Sequence, residues 1–188
     1  MTFWFTSDSH FNHDNIIKYS KRPFSTLAEM EQSMIANWNG HVARGDLVYH
    51  LGDFALSWGV HDARKIDGLL AELNGTKILI VGNHDRNEVT SNRRWAAVHQ
   101  LHEIKVDIKS DVKQRIVLCH YPLRVWNRMH HGAWMLHGHS HGSLEDVGGK
   151  VMDVGVDCHC YRPISIDEVT EFMNSRQFVA MDHHSSDR

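Results

Sequence analysis

Five apolar stretches of the chain end abruptly in Asp, Asn or His: TSDSH, LGD, VGNHD, LCH and HGHSH. The chemistry-bearing residues at these ends are Asp8, His10, Asp53, Asn83, His84, Asp85, His120, His139 and His141. One mononuclear metal site does not need so many. Two adjacent cations do, especially when one carboxylate bridges them. Imidazole, carboxylate and amide oxygen without thiolate suit Mn²⁺, Fe or Zn²⁺ better than a soft metal. Two such cations about 3.5–4 Å apart clamp the attacking and leaving oxygens of a displacement at phosphorus, and they make hydroxide from bound water near neutral pH.

The elements that must position these residues are readable from periodicity. TFWFTSD, DLVYHLGDF and KILIVGNHD read as strands, the last a continuous apolar run of the kind buried on both faces. TLAEMEQSMIANWNG predicts a helix with Leu27, Met30, Met34, Ile35 and Trp38 on one side and Gly40 as its stop. HDARKIDGLLAELNG predicts a second helix closed by Asn74 and Gly75. RRWAAVHQL reads as a short helix. EIKVDIKSDVKQRIVLCHYP reads as a β-hairpin turning at Ser110 and Asp111. AWMLHGHSHG and KVMDVGVDCHCY read as strands. SIDEVTEFM reads as a closing helix, with Ser165 as N-cap and Glu168 at capping-box spacing. In open α/β sheets functional groups gather outside the carboxyl ends of strands, so five such endings are expected to converge.

Asp8-x-His10, Gly52-Asp53, Gly82-Asn83-His84-Asp85, His120 and Gly138-His139-x-His141 occur in that order. Each motif is short and unspecific alone. Together, in order and at the ends of predicted strands, they resemble the calcineurin-like metallophosphoesterase superfamily. The resemblance implies a four-layer α/β/β/α sandwich of two mixed sheets flanked by helices, with a dinuclear metal site at the carboxyl ends of strands. It implies that Asp8, His10 and His141 hold one divalent or trivalent ion, that Asn83, His120 and His139 hold the other, and that Asp53 bridges them. His84 is then the group that contacts the substrate phosphate and protonates the leaving oxygen, with Asp85 fixing its tautomer. The implied activity is phosphoester hydrolysis by a metal-bound hydroxide. Small phosphodiesters or nucleotides are the first expectation, because the short chain leaves little sequence for a cap over the site. Phosphomonoesters, a nuclease of the same superfamily and a non-catalytic scaffold are the alternatives.

Other residues have weaker claims. His13 follows the first motif and is a candidate for substrate contact, as are Arg86 and Arg124, whose guanidinium groups suit a phosphate oxygen. His130 and His131 are expected in a loop near the second ion. His137 is either a donor behind the ligands or a satisfied core histidine. Trp126 either stacks on an aromatic leaving group or is simply packed.

The 188 residues suit one domain, expected over 1–180, with 181–188 as a flexible tail. A hydrophobic share of 41%, a charged share of 23% and a formal net charge of −3 are ordinary for a globular chain and do not suggest a nucleic-acid binder, although the SNRRW and KRPF stretches leave a local basic patch open. The start has no basic region and only a short apolar run, so no secretory signal is expected. The odd cysteine count (Cys119, Cys158 and Cys160) argues against a disulfide framework. The expectation is a cytoplasmic protein with no membrane partner.

Overall fold

The computed structural model describes residues 1–109, 112–146 and 148–178. The chain runs from β1 (Phe3–Thr6) through α1 (Ile16–Tyr19) and α2 (Leu27–His41) to β2 (Leu47–His50), then through α3 (Val60–Glu72) to β3 (Thr76–Ile80) and through α4 (Asn87–Thr90) to β4 (Trp95–His99). A hairpin of β5 (Leu101–Lys109) and β6 (Val112–Cys119) is followed by β7 (Trp134–His137), β8 (Val151–Asp153), β9 (Ile164–Ser165) and α5 (Ile166–Asn174). Two mixed sheets result, ordered β4-β3-β2-β1-β9 and β5-β6-β7-β8. Strands β1 to β4 are parallel and β9 is antiparallel to β1. In the second sheet β6, β7 and β8 are parallel, with β5 antiparallel on the edge.

The period of two along each strand decides what is buried where. Phe5, Tyr49 and Ile80 of the first sheet meet Ile116, Leu118 and Leu136 of the second in one apolar cluster. Val48 and Leu79, one residue out of phase, face the other way and pack with Met30, Met34, Ile66 and Leu70 of α2 and α3. Burying a side chain of this size fully contributes about 1.5–3 kcal/mol. Helix α2 starts where Thr26 Oγ1 accepts the Glu29 N–H at 3.2 Å, and α5 starts with the reciprocal capping box of Ser165 and Glu168.

Helices were expected outside both sheets. Over the first sheet α2 and α3 fill that role. Over the outer face of the second, among the described residues, Val117, Cys119 and Met135 are covered by Leu123 and Trp126 from the loop before β7. Trp126 is thus a packing residue, its Nε1–H donating to Ala133 O at 2.9 Å.

Three local expectations need correction. Helix α2 passes through Gly40 to His41. RRWAAVHQL is an edge strand rather than a helix, because its backbone completes the ladder along β3 while Trp95 is buried and donates from Nε1 to Val89 O at 2.9 Å. The KVMDVGVDCHCY strand stops at Asp153, whose carboxylate accepts the Gly155 and Gly142 N–H groups at 2.8 and 3.0 Å. There the chain crosses between sheets: Val156 N–H donates to Ser7 O at 3.0 Å, and residues 156–158 form a single 3₁₀ turn. The expected hairpin turn at Ser110 and Asp111, the domain end at 180 and the 181–188 tail lie outside the described residues. No helix among the described residues is long and apolar enough to cross a membrane.

Candidate metal centre

The parallel arrangement brings the carboxyl ends of β1, β2 and β3 and those of β6 and β7 to one edge. Loops leave these ends in tight, mutually bonded turns. Asp8 N–H donates to Gly52 O at 3.0 Å, His10 N–H to Asp53 O at 2.9 Å and Gly138 N–H to His120 O at 3.0 Å. The two sheets are joined where His139 N–H reaches the Asp8 carboxylate at 3.0–3.1 Å. Asp8, His10, Asp53, His139 and His141 all have positive φ, between 49° and 69°. A left-handed conformation costs an L-residue about 1–2 kcal/mol, and such strain collects where function requires an unusual side-chain direction. Glycine is required at two neighbouring positions by crowding: a Cβ at Gly82 would collide with the Asp53 carboxylate, and one at Gly138 with Ser7 Oγ.

Two groups of donor atoms form there. Asp8, His10 and His141 offer ligand atoms within 4.8 Å of one another, as do Asp53, His120 and His139. Asn83 joins the second group: its Oδ1 lies 3.0 Å from His120 Nε2 and 3.0 Å from His139 Nδ1. Asp53 stands between the groups, with Oδ2 3.6 Å from His10 Nε2 and 3.5 Å from His120 Nε2. The sequence-predicted ligands are therefore brought together, in the two expected sets and around the expected shared carboxylate.

The donors fit cations on grounds of their own. His10 Nε2 is buried and has no hydrogen-bond partner, which is costly unless something accepts its lone pair or proton. Burial, opposed by His141, pushes the Asp8 carboxyl up to about 7. Burial also drives His10 well below the ordinary imidazole range and lowers His120. Burial would lower His141 as well, but its hydrogen bond to Asp157 and the nearby Asp8 carboxylate raise it; buried carboxylates beside imidazoles of which His10 and His120 resist protonation suit an added cation.

The imidazoles are aimed by partners behind them. His120 Nδ1 is 2.7 Å from Leu51 O, so that nitrogen carries the proton and leaves Nε2 free for the site. His141 Nδ1 is 2.7 Å from Asp157 Oδ2. Asp157 is clamped in turn by Arg22, Nε and Nη2 each at 2.8 Å, and Arg22 also donates to Asp8 O at 2.7 Å and Ser9 O at 3.0 Å. Burial alone would raise the Asp157 carboxyl, but the His141 and Arg22 hydrogen bonds hold it below the ordinary range. Sequence reasoning missed both residues. The available signals, an Asp in VDCHC and an Arg in KRPF, carry no motif, and KRPF had been read as a possible basic patch; Arg22 is in fact 4% exposed.

The remaining candidates divide. His84 sits over the cavity: its N–H donates to Asp53 Oδ1 at 2.8 Å and its ring lies 5.3 Å from that of His10. Asp85, expected to orient His84, does something else. Its carboxylate accepts the backbone N–H groups of Asp53, Phe54 and Gly82 at 2.8–2.9 Å and so pins the β2 and β3 loops together. His13 reaches the site, with Nδ1 3.3 Å from His10 Nδ1. Arg86 lines the same cavity, its guanidinium 4.8 Å over the Trp58 ring. Arg124 does not join it; it lines a separate, largely apolar groove of about 590 Å³ with Trp126 and Leu144. His137 Nδ1 bonds Gly138 O at 2.9 Å, a satisfied buried histidine. His130 and His131 form part of a 3₁₀ turn and line neither space. Cys158 and Cys160 are free and exposed.

No family model matches the chain. It is 34% identical over 179 residues to the uncharacterized protein MJ1445 of Methanocaldococcus jannaschii, covering 92% of each chain. It is 25% identical over 194 residues to the Gene 66 protein of Mycobacterium phage D29, covering 91% of this chain and 95% of that one. The crystal structure of the protein of unknown function AQ665 from Aquifex aeolicus superposes with a TM-score of 0.69 at 25% identity, covering 91% of this chain and 98% of that one. The two mixed sheets, with the ordered motifs at one edge, agree with the resemblance to the calcineurin-like metallophosphoesterase superfamily. The chain belongs to the family of the Methanocaldococcus jannaschii protein.

Proposed function

We propose that the protein is a metal-dependent phosphoesterase that prefers small phosphodiesters. The observation that carries this reading is the position of Asp53 Oδ2, within 3.5–3.6 Å of imidazole nitrogens from both donor groups, as a carboxylate shared by two ions requires. Ions of the Mn, Fe or Zn type held there would supply Lewis acidity, lowering the pKa of water and neutralising charge on phosphoryl oxygens. Asp8, His10 and His141 would hold one and Asn83, His120 and His139 the other.

The chain's own residues do the rest. A cavity of about 740 Å³ opens over both groups and receives the substrate. The His84 backbone N–H fixes the Asp53 carboxylate, and its ring, beside His10, is placed to give a proton to the leaving oxygen as the phosphorus–oxygen bond breaks. Arg86 borders the cavity and suits a non-bridging phosphoryl oxygen. Among the described residues lining this space Arg86 is the one Lys or Arg side chain; Arg22 is buried behind the candidate ligands and Arg124 lines another groove. That scarcity favours the singly charged diester over the doubly charged monoester. It also disfavours a nuclease groove: Arg94 of SNRRW is paired with Asp67 at 2.7 Å.

The test is hydrolysis of a diester and a monoester of the same chromogenic phenol by chelator-stripped protein refilled with Mn²⁺. Metal-dependent turnover favouring the diester supports the reading. Faster turnover of the monoester would replace it with a phosphatase. No turnover of either would favour the scaffold.

A further inference from the structure

Four aromatic side chains are exposed among the described residues: Tyr19, Trp58, Tyr121 and Phe178. Three of them stand at the metal centre. Tyr19 (73% exposed) and Trp58 (71% exposed) line its cavity. Tyr121 packs edge-on against His120 and His139, at ring distances of 5.0 and 4.8 Å. Isolated exposed apolar side chains are ordinary, but apolar surface concentrated at one place marks a binding site.

The Tyr19 and Trp58 rings line the cavity that His84 also lines. Tyr19 meets the His13 ring edge-on at 6.2 Å, and His13 lies 6.1 Å from His84. The Arg86 guanidinium covers the Trp58 ring at 4.8 Å. A flat ring entering the cavity has the exposed Tyr19 and Trp58 rings in its lining, and aromatic side chains stack on any base because every base has a π face. We infer that Tyr19 and Trp58 grip the nucleobase of a small nucleoside phosphoester whose phosphoryl group sits at the metal centre. This rests on the phosphoester reading above and narrows it to a substrate class. A polynucleotide is the less suitable source of that base, because tracking its phosphates needs free cations, whereas Arg22 and Arg94 are committed to Asp157 and Asp67.

The experiment is calorimetric titration of the Mn²⁺-loaded protein with adenosine 5′-monophosphate, methyl phosphate and a short deoxyadenosine oligonucleotide. The nucleotide is expected to bind about tenfold or more tighter than methyl phosphate, the advantage of one stacked base. Trp58→Ala and Tyr19→Ala should each remove much of that advantage; Tyr19→Ala should leave methyl phosphate binding within about twofold, and Trp58→Phe, which keeps a ring under Arg86, should retain most of the advantage with methyl phosphate binding within about twofold. Equal binding of nucleotide and methyl phosphate, or equal weakening of both in the alanine variants, would overturn the inference. So would an oligonucleotide that binds far tighter than the mononucleotide. Binding is read without turnover, so the two readings fail separately. A protein that binds in the expected pattern but hydrolyses no ester contradicts the hydrolase, whereas turnover indifferent to Trp58 and Tyr19 contradicts the nucleobase grip.

Discussion

At His141 the imidazole is a ligand candidate on one side and a hydrogen-bond partner of Asp157 on the other. Outer partners of this kind typically change metal affinity about 10–100-fold when removed. Asp157→Asn should therefore weaken one of two Mn²⁺ binding events by about that factor and leave the other near its wild-type value, read by titration of stripped protein. His84 makes the opposite prediction. His84→Ala should retain both ions and lose about 10²–10⁴-fold in turnover; loss of metal with the fold intact would show that the ring is a ligand. The candidate ligands were legible in the sequence because each is a specific donor type near a strand end. Asp157 was not, because what gives it a role is a pairing with Arg22 across 135 positions. Asp85 was misread for a related reason: adjacency to His84 suggested a partnership, but backbone N–H groups from two loops take both its oxygens.

Elements were legible where propensity, pattern and caps agreed. Helix α5 is the clearest, with its capping box and buried Ile166, Val169 and Met173. Ser165→Ala should cost about 0.5–2 kcal/mol in urea unfolding, since it frees the Glu168 N–H at an end packed on the inter-sheet core. A value near zero would mean that the Glu168 side chain, which also accepts from Ser165 N–H and Arg162, holds the turn alone. Strand β4 was illegible for the opposite reason. Its two alanines, with Arg93 and Arg94 just before it, favour a helix locally, and the open edge of β3 overrides them. The early end of β8 depends on a crossing to Ser7 that no local pattern announces.

The whole molecule closes on a core that includes His50, fully buried with Ser9 Oγ 2.8 Å from its Nε2 and the Trp38, Phe54 and Trp95 rings around it. Burial, helped by His120, pushes its pKa down from 6.5 to about 3. The unfolded chain thus takes up a proton below the ordinary value that the folded chain refuses. Stability should fall as pH drops from about 6.5 toward 3. Chelated His50→Phe should lose less stability than the chelated wild type between those limits, measured as urea midpoints; parallel losses would show that His50 is not the group responsible. The layered core also explains why the two sheets can hold seven candidate ligand side chains at one edge with no helix among the described residues behind the second sheet. The central claim is that these seven form one paired site sharing Asp53. Its most direct test is metal analysis of stripped protein refilled with Mn²⁺, wild type beside Asp53→Asn. The account predicts about two ions per wild-type chain and weakened binding of both in the variant. One ion in the wild type, or two held as tightly by Asp53→Asn, would contradict it.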